Sequence, residues 1–186
     1  EEYTKFANEM MDKPLSYYAF QMLYWCGIRV GELLALTPAD FDFNNKTVTI
    51  SKSYQRLHGE DIITSPKTPK SNRTIKMPQF LCDEMQEYIS MFYEAGENDR
   101  IFPISKSYLH HEMDRGSDKA GVKRIRIHDL RHSHVSLLID KGFQPLAIAD
   151  RVGHESVDIT YRYAHLFPSK QVEMVNTLDE IWKGDN

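Results

Sequence analysis

The sequence predicts a mainly α domain with a small three-stranded antiparallel β-sheet, an α+β fold. Apolar residues recur at helical spacing over the first 46 residues, alternate as in strands between residues 47 and 77, and return to helical spacing from Gln79 onward. A length of 186 residues fits one compact domain, which we expect to span residues 1–186.

The first 46 residues are expected to be helical. Tyr17, Phe20 and Leu23 lie on an apolar helix, and Gly27 is suited to end it. A short helix over about residues 30–36 follows, and it ends at Thr37-Pro38 because proline cannot continue a helix.

Strand-like alternation occurs in three segments, residues 47–51, 61–64 and 73–77. Turn-forming residues separate them at positions 58–59 and 65–69, and also precede the first segment at 42–45. These segments predict one antiparallel sheet of three strands, which is too small to be a domain by itself.

The remaining helices are expected at about residues 79–96, 107–119, 128–141, 145–151, 156–163 and 169–182. The folded core should cover about residues 15–170, followed by a tail helix at about 168–183. In one continuous helix His154 and Tyr163 would point to opposite sides, so they can meet only if the chain turns after Gly153-His154 and restarts near Ser156.

The composition excludes several classes of protein. Hydrophobic residues make up 41% and charged residues 27%, which excludes wholesale disorder, and no apolar run approaches the ~20 residues of a membrane span. The first five residues do not have the layout of a signal peptide. Cys26 and Cys82 lie in apolar helix-like segments, which favours buried thiols over a disulfide. We therefore expect a cytoplasmic protein.

The net charge of −4 conceals a segregation of charge along the chain. Residues 51–76 and 115–131 each carry six basic and two acidic side chains, whereas residues 83–100 and 173–186 are acidic. If the two basic blocks converge, they form a face able to follow a phosphate backbone. The alternative is that these charges are ordinary solvated surface.

His128 and Arg131 are three residues apart and share a helix face. A guanidinium group binds two phosphate oxygens at once, and an imidazole transfers protons near neutral pH.

His128 and His132 are also four residues apart, a metal-binding spacing that leaves a zinc hydrolase as an alternative. Asp129 stands where zinc proteases need glutamate and no third ligand is evident, so we predict no metal site.

Arg29 stands at a helix start with Glu32 one turn later. Either the two residues form an exposed ion pair worth under about 1 kcal/mol, or Arg29 points into a cleft and Glu32 orients it.

Tyr161 and Tyr163 would lie about 200° apart on a helix, so at most one faces a given site. Core packing is the alternative for either tyrosine.

Together these segments resemble the catalytic domain of the tyrosine recombinase (phage integrase) family over about residues 15–170. Residues 26–36 are similar to the box of the first arginine, 65–78 to the hairpin of the catalytic lysine, 128–132 to the His-x-x-Arg box, and 152–154 to the following box. Tyr163 stands where the family keeps its nucleophile. The resemblance implies that the catalytic residues are Arg29, Lys67, His128, Arg131, His154 and Tyr163, with Glu32 in a supporting role.

The resemblance implies site-specific DNA recombination through a covalent 3′-phosphotyrosine, to integrate or excise a mobile element, without metal, ATP or another cofactor. In this interpretation His128 accepts the proton of Tyr163, and His154 hydrogen-bonds a phosphate oxygen. Lys67 protonates the leaving 5′-oxygen, with Lys70 or Lys76 of the same hairpin as alternatives.

The implied partner is double-stranded DNA, bound by a homotetramer; no membrane is involved. The tail helix either docks in trans on a neighbouring protomer or packs on its own core. The basic residues expected to contact DNA are Lys52, Arg56, Lys70, Arg73, Lys123, Arg124 and Arg126. Nothing in this chain resembles the N-terminal core-binding domain that is usual in the family. A type IB topoisomerase-like enzyme and a non-catalytic DNA-binding module of the same fold remain as alternatives.

Overall fold

The computed structural model describes residues 1–65, 68–92, 96–163, 166 and 171–184. Helices and short strands in this part of the chain follow the predicted α+β order. The helices are α1 (Glu2–Met10), α2 (Pro14–Cys26), α3 (Val30–Leu34), α4 (Gln79–Ser90), α5 (Lys106–Ala120), α6 (Asp129–Asp140), α7 (Pro145–Val152), α8 (Val157–Tyr161) and α9 (Gln171–Gly184). The strands are β1 (Phe41–Asp42), β2 (Thr47–Ile50), β3 (Ser53–Leu57), β4 (Glu60–Thr64) and β5 (Arg73–Lys76).

Helix α2 is the central element of the main core. Pro14 occupies its first turn. Gly27 ends the helix, as the sequence predicted, and adopts the left-handed conformation. The helix packs against α1, α4 and α6, and side chains such as Phe20, Met22 and Leu23 are fully buried. Its C-terminal end therefore lies at a fixed position against the start of α6.

The main sheet has the predicted three strands, but their identity differs. Its order is β1–β2–β5, all antiparallel, with Val48 opposite both Phe41 and Ile75. Residues 61–64 were expected in this sheet and instead pair with β3 in a separate hairpin. Strand β3 was missed because only Tyr54 of its side chains is buried, so its sequence lacks a strand-like alternation.

Several predicted boundaries were wrong by a few residues. Helix α3 ends at Leu34 and α4 at Ser90, whereas the sequence suggested about 36 and 96. The first 46 residues are not helical to their end, because a 3₁₀ turn at Pro38–Asp40 leads into β1. Helix α8 stops at Tyr161, so Tyr163 lies in the turn that follows.

A small second hydrophobic cluster supports the C-terminal part of the fold. Val135 and Ile139 of α6 pack with Ile148 and Val152 of α7, and the Tyr163 ring lies against them. Cys26 and Cys82 are buried free thiols, as predicted. Among the described residues, no helix has the length and apolar character needed to cross a membrane.

Candidate active site

A cleft of about 580 Å³ gathers five of the six predicted catalytic residues. Its walls come from the start of α3, from α6, from the residue after Gly153 and from the turn after α8. The lining residues are Arg29, His128, Arg131, His132, Ser136, His154, Arg162, Tyr163 and Leu166. The sixth predicted residue, Lys67, lies outside the described residues.

Arg131 forms the buried wall of the cleft. Its Nη1 donates a hydrogen bond to the carbonyl oxygen of Gly27 at 2.7 Å, and its Nη2 is buried without a hydrogen-bond partner among the described residues. Burial, followed by the nearby charge of Arg29, lowers the pKa of Arg131 to about 9. A buried N–H donor without a partner is costly, so this wall of the cleft favours an anion that would accept from it.

Arg29 forms the open wall, with 39% of its side chain exposed. Its Nη1 donates to Glu32 Oε1 at 2.9 Å, and its Nη2 donates to the carbonyl oxygen of Gly153 at 3.3 Å. These contacts hold the guanidinium at the cleft. Of the two sequence interpretations, the structure shows the cleft arginine oriented by Glu32.

Two glycines in the left-handed conformation hold the two arginines through their carbonyl oxygens. Gly27 ends α2 with φ 61° and Gly153 ends α7 with φ 68°. A Cβ on Gly27 would lie 2.5 Å from the His134 ring, and one on Gly153 would lie 3.0 Å from the Arg73 side chain. Both positions therefore require glycine for conformation and for space.

Glu32 is buried between two arginines. Its carboxylate accepts from the Arg29 backbone N–H at 2.8 Å and from Arg73 Nη2 at 2.9 Å and Nη1 at 3.1 Å. Burial raises the pKa of Glu32, but the hydrogen bonds and charge of Arg73, and then those of Arg29, outweigh burial and hold the pKa below 4.5. Glu32 is therefore ionised at neutral pH.

Arg73 does not lie where the sequence analysis expected it. It was predicted to contact DNA, but only 6% of its side chain is exposed, and its Nε donates to the carbonyl oxygen of Arg151 at 3.0 Å. Arg73 thus connects β5 to α3 and α7 in the interior. Its place in a basic block gave no sign of burial, because its partner Glu32 is 41 residues away in sequence.

His154 lies beside Arg131 in the same cleft. Its Nδ1 hydrogen-bonds Thr160 Oγ1 at 2.9 Å. Burial, followed by the charges of Arg131 and Arg29, lowers the pKa of His154 to about 4. The ring is therefore neutral at neutral pH, with Nδ1 occupied by Thr160.

The chain turns after Gly153-His154 and restarts at Val157, as the sequence required for His154 and Tyr163 to share a site. The Tyr163 hydroxyl hydrogen-bonds Nδ1 of His132, whereas Tyr161 is exposed. Burial raises the pKa of Tyr163, and the positive charge of Arg131 partly opposes it. Of Tyr161 and Tyr163, it is Tyr163 that lines the cleft.

His132 is the residue that the sequence reasoning missed at this site. It was considered only as a metal ligand, and His128 was expected to meet Tyr163. The structure instead stacks the His128 ring edge-to-face on His132 at 4.8 Å and brings His132 to the hydroxyl. The sequence contains one indication of this role, because His132 directly follows Arg131 on the helix that lines the cleft.

The remaining predicted DNA contacts fall into two groups. Lys52 pairs with Asp40 at 2.8 Å and lines a second cleft of about 460 Å³ that it shares with Arg29. Arg56, Lys70 and Lys123 have exposed side chains.

The second basic block is largely paired with carboxylates. Arg124 pairs with Asp114 at 2.7 Å, and Arg126 pairs with Asp129 at 2.9 Å. Arg115 of the same block binds Glu112. The block therefore presents less free positive charge than its sequence suggests.

No group of three or more His, Cys, Asp or Glu side chains within the described ranges could hold a metal ion. The zinc-hydrolase alternative rested on His128 and His132, and the structure gives that pair no third ligand among these residues.

Comparison with known proteins places this fold among tyrosine recombinase catalytic domains. The Tn1549 transposon integrase, solved in complex with a circular intermediate DNA, superposes with a TM-score of 0.80 at 21% identity, over 98% of this chain and 64% of that one. The catalytic domain of bacteriophage HP1 integrase gives a TM-score of 0.65 at 18% identity, over 95% and 90% of the two chains.

The chain belongs to the phage integrase family, whose sequence profile matches residues 1–170. It is 32% identical to the ICEBs1 integrase of Bacillus subtilis (strain 168) over 196 residues, covering 97% of this chain and 53% of the relative. The chain thus spans about half the length of that curated relative.

Proposed function

We propose that this chain is the catalytic domain of a site-specific DNA recombinase that cleaves and rejoins DNA through a covalent 3′-phosphotyrosine. The proposal rests on a single cleft in which a tyrosine lies with two arginines. One guanidinium nitrogen there, Nη2 of Arg131, is buried and has no hydrogen-bond partner among the residues that the structure describes. Arginine forks that hold a phosphodiester beside a phenol are suited to phosphoryl transfer.

The first step is binding of the scissile phosphate. Arg29 and Arg131 neutralise its non-bridging oxygens, and the orphan Nη2 of Arg131 gains an acceptor. Because Thr160 can donate to Nδ1 of His154, the tautomer protonated at Nε2 presents a further donor to the phosphate. These charges are fixed before the reaction, which is how a site stabilises developing negative charge at low cost.

In the cleavage step the Oη–P bond to Tyr163 forms and the bond between phosphorus and the 5′-oxygen breaks. Lys67 is proposed to protonate that 5′-oxygen, with Lys70 as the other candidate on the segment. The phosphotyrosine ester keeps a phosphoester linkage, so the 5′-hydroxyl of a second strand can reverse the step without ATP.

Double-stranded DNA is the proposed substrate, and integration or excision of a mobile element is the proposed role. The integrase names of the relatives and the DNA complex of the Tn1549 integrase support both. The residues proposed to follow the phosphate backbone are Lys52, Arg56, Lys70, Lys123, Arg124 and Arg126. Arg73 is excluded from this set because its guanidinium is buried on Glu32.

The proposed assembly is a homotetramer on DNA in which α9 docks on a neighbouring protomer. Four apolar side chains of α9 are 54–65% exposed, those of Met174, Val175, Leu178 and Ile181. They recur at helical spacing, so one face of α9 carries an apolar stripe. Such a stripe on a surface helix indicates a protein contact.

The test is covalent trapping on nicked duplex oligonucleotides that tile the junctions of the element carrying the gene. Cleavage releases the short fragment between the scissile phosphate and the nick, which carries the 5′-hydroxyl needed for rejoining. The protein–DNA adduct therefore accumulates and should survive denaturing electrophoresis. We expect Tyr163→Phe to abolish the adduct while Tyr161→Phe retains it. The reverse pattern would reassign the nucleophile, and absence of any adduct from the wild-type protein would refute the proposed function. Relaxation of supercoiled DNA without joining of two sites would instead indicate a topoisomerase.

A further inference from the structure

We propose that His132, and not His128, accepts the phenolic proton of Tyr163 during cleavage and returns it during rejoining. This inference rests on the proposed function and assigns a further catalytic residue to it. Its basis is the direct hydrogen bond between the Tyr163 hydroxyl and Nδ1 of His132. Within the described part of the chain, this is the ring nitrogen that touches the nucleophile.

The fold fixes both partners of that hydrogen bond. His132 lies in the first turn of α6, directly after Arg131, and the His128 ring lies edge-on to it at 4.8 Å. The Tyr163 ring packs on the hydrophobic cluster between α6 and α7. The hydroxyl and the imidazole therefore meet through packing of two separate elements rather than through a flexible side chain.

Tyr163 requires such an acceptor. Its phenol has a pKa raised above 10 by burial, so the group carries its proton at neutral pH. That proton must leave as the oxygen attacks phosphorus. A neutral imidazole protonated at Nε2 has an unprotonated Nδ1 in position to receive it.

The surroundings of His132 can stabilise the imidazolium that forms. Asp129 lies one turn earlier on α6, and Asp129, Asp140 and His132 line the same shallow surface depression. Hydrogen bonds from Arg126 lower the pKa of Asp129, so its carboxylate is ionised in the depression that it shares with His132. His132 also lines the proposed phosphate-binding cleft, together with Arg131.

His128 is then available for a different task. Partial desolvation, followed by the neighbouring His132 and Arg131, lowers its pKa from the usual value, so the ring is neutral at neutral pH. It lines the cleft with Arg131 and can donate one N–H to a phosphate oxygen. The two histidines thus divide binding and proton transfer between them.

The step balances without another reactant. The Oη–P bond forms as the Oη–H proton moves to Nδ1 of His132, and the P–O5′ bond breaks as the 5′-oxygen takes a proton from the general acid. In rejoining, the 5′-hydroxyl returns its proton to the deprotonated general acid as its oxygen attacks phosphorus. The P–Oη bond breaks, and the His132 imidazolium returns its proton to Oη.

The experiment compares His132→Ala and His132→Asn with the wild-type protein in single-turnover cleavage of the nicked substrate. Asparagine places a hydrogen-bonding atom near the position of Nδ1 but cannot accept a proton. We expect both variants to cleave about 100-fold or more slowly, the usual effect of losing a general base. His110→Ala, an exposed position on α5, is the matched control and should cleave at the wild-type rate.

Two readouts separate proton transfer from positioning. Added imidazole should accelerate His132→Ala and not His110→Ala, and this ratio of rates is independent of the fraction of protein that is folded. A 5′-bridging phosphorothiolate substrate, whose sulfur leaves without protonation, should not relieve the defect. Wild-type rates in His132→Asn, or full relief by the phosphorothiolate, would overturn the assignment. Failure of the wild-type protein to form any adduct would instead refute the proposed function.

Discussion

Replacing Glu32 by glutamine tests whether the buried ion pair beneath the site supports the fold. The substitution keeps the shape of the side chain but removes its charge, so Arg73 remains buried without a counter-ion. The side chains of Arg73 and Glu32 are only 6% and 5% exposed, so water cannot replace the lost carboxylate. Two hydrogen bonds from Arg73, at 2.9 and 3.1 Å, lose their charged acceptor.

The expected loss of stability follows from burial. Breaking a buried ion pair from one side costs about 3–5 kcal/mol, and we expect about 3 kcal/mol because glutamine keeps one acceptor oxygen. This is a large part of the roughly 5–15 kcal/mol that stabilises a domain. With a denaturant slope of about 2 kcal/mol per molar, the urea midpoint should fall by about 1.5 M.

The assay is urea unfolding followed by circular dichroism, with Asp114→Asn as the matched control. Asp114 pairs with Arg124 at 2.7 Å, but the two side chains are 52% and 45% exposed. Such a surface pair contributes under about 1 kcal/mol, so the control should shift the midpoint by less than about 0.5 M. Equal shifts for the two variants would refute the argument from burial.

The same variant gives a pH signature. Because the folded-state pKa of Glu32 lies below 4.5, its contribution is present above that pH and is lost as pH falls through the folded value. Glutamine does not titrate. The stability gap between wild type and Glu32→Gln should therefore be constant near neutrality and should narrow on acidification below about pH 4.5. A gap that widens on acidification would contradict the assignment.

Two further predictions concern the turn before His154 and the tail helix. Gly153→Ala should lower the free energy of unfolding by more than Gly142→Ala. Both glycines have positive φ, but only at Gly153 would the added Cβ crowd a side chain, that of Arg73. Equal losses of stability in thermal unfolding would show that space is not limiting at Gly153. Leu178→Glu in α9 should reduce the size of the DNA-bound assembly in analytical ultracentrifugation, whereas the control Glu180→Gln should not. An unchanged size for Leu178→Glu would count against trans docking.

The order of elements was readable from the sequence because each rests on local chemistry. Gly27 ends α2 and Gly153 ends α7, as residues tolerant of positive φ are expected to do. The hairpin of β3 and β4 was not readable, because its side chains are mostly exposed on both faces and leave no alternating pattern. Its pairing is decided by backbone hydrogen bonds across the turn.

The candidate site likewise combines residues that the sequence identified with a contact that it did not. Arg29, Arg131 and Tyr163 were identifiable because their boxes keep a fixed order and spacing along the chain. The partner of the Tyr163 hydroxyl was not identifiable, since His128 and His132 occupy one helix face and differ only in how α6 packs against the turn after α8.

The family, the helix-rich α+β fold and five of the residues that line the cleft follow from the sequence alone. The packing of distant elements settles which basic side chains face outward, which histidine touches the tyrosine, and that Arg73 lies buried on Glu32. The physical reason is distance along the chain. Caps and periodicities act within a few residues. The Arg73–Glu32 ion pair and the His132–Tyr163 hydrogen bond join groups 41 and 31 residues apart, and no local pattern records which groups will meet.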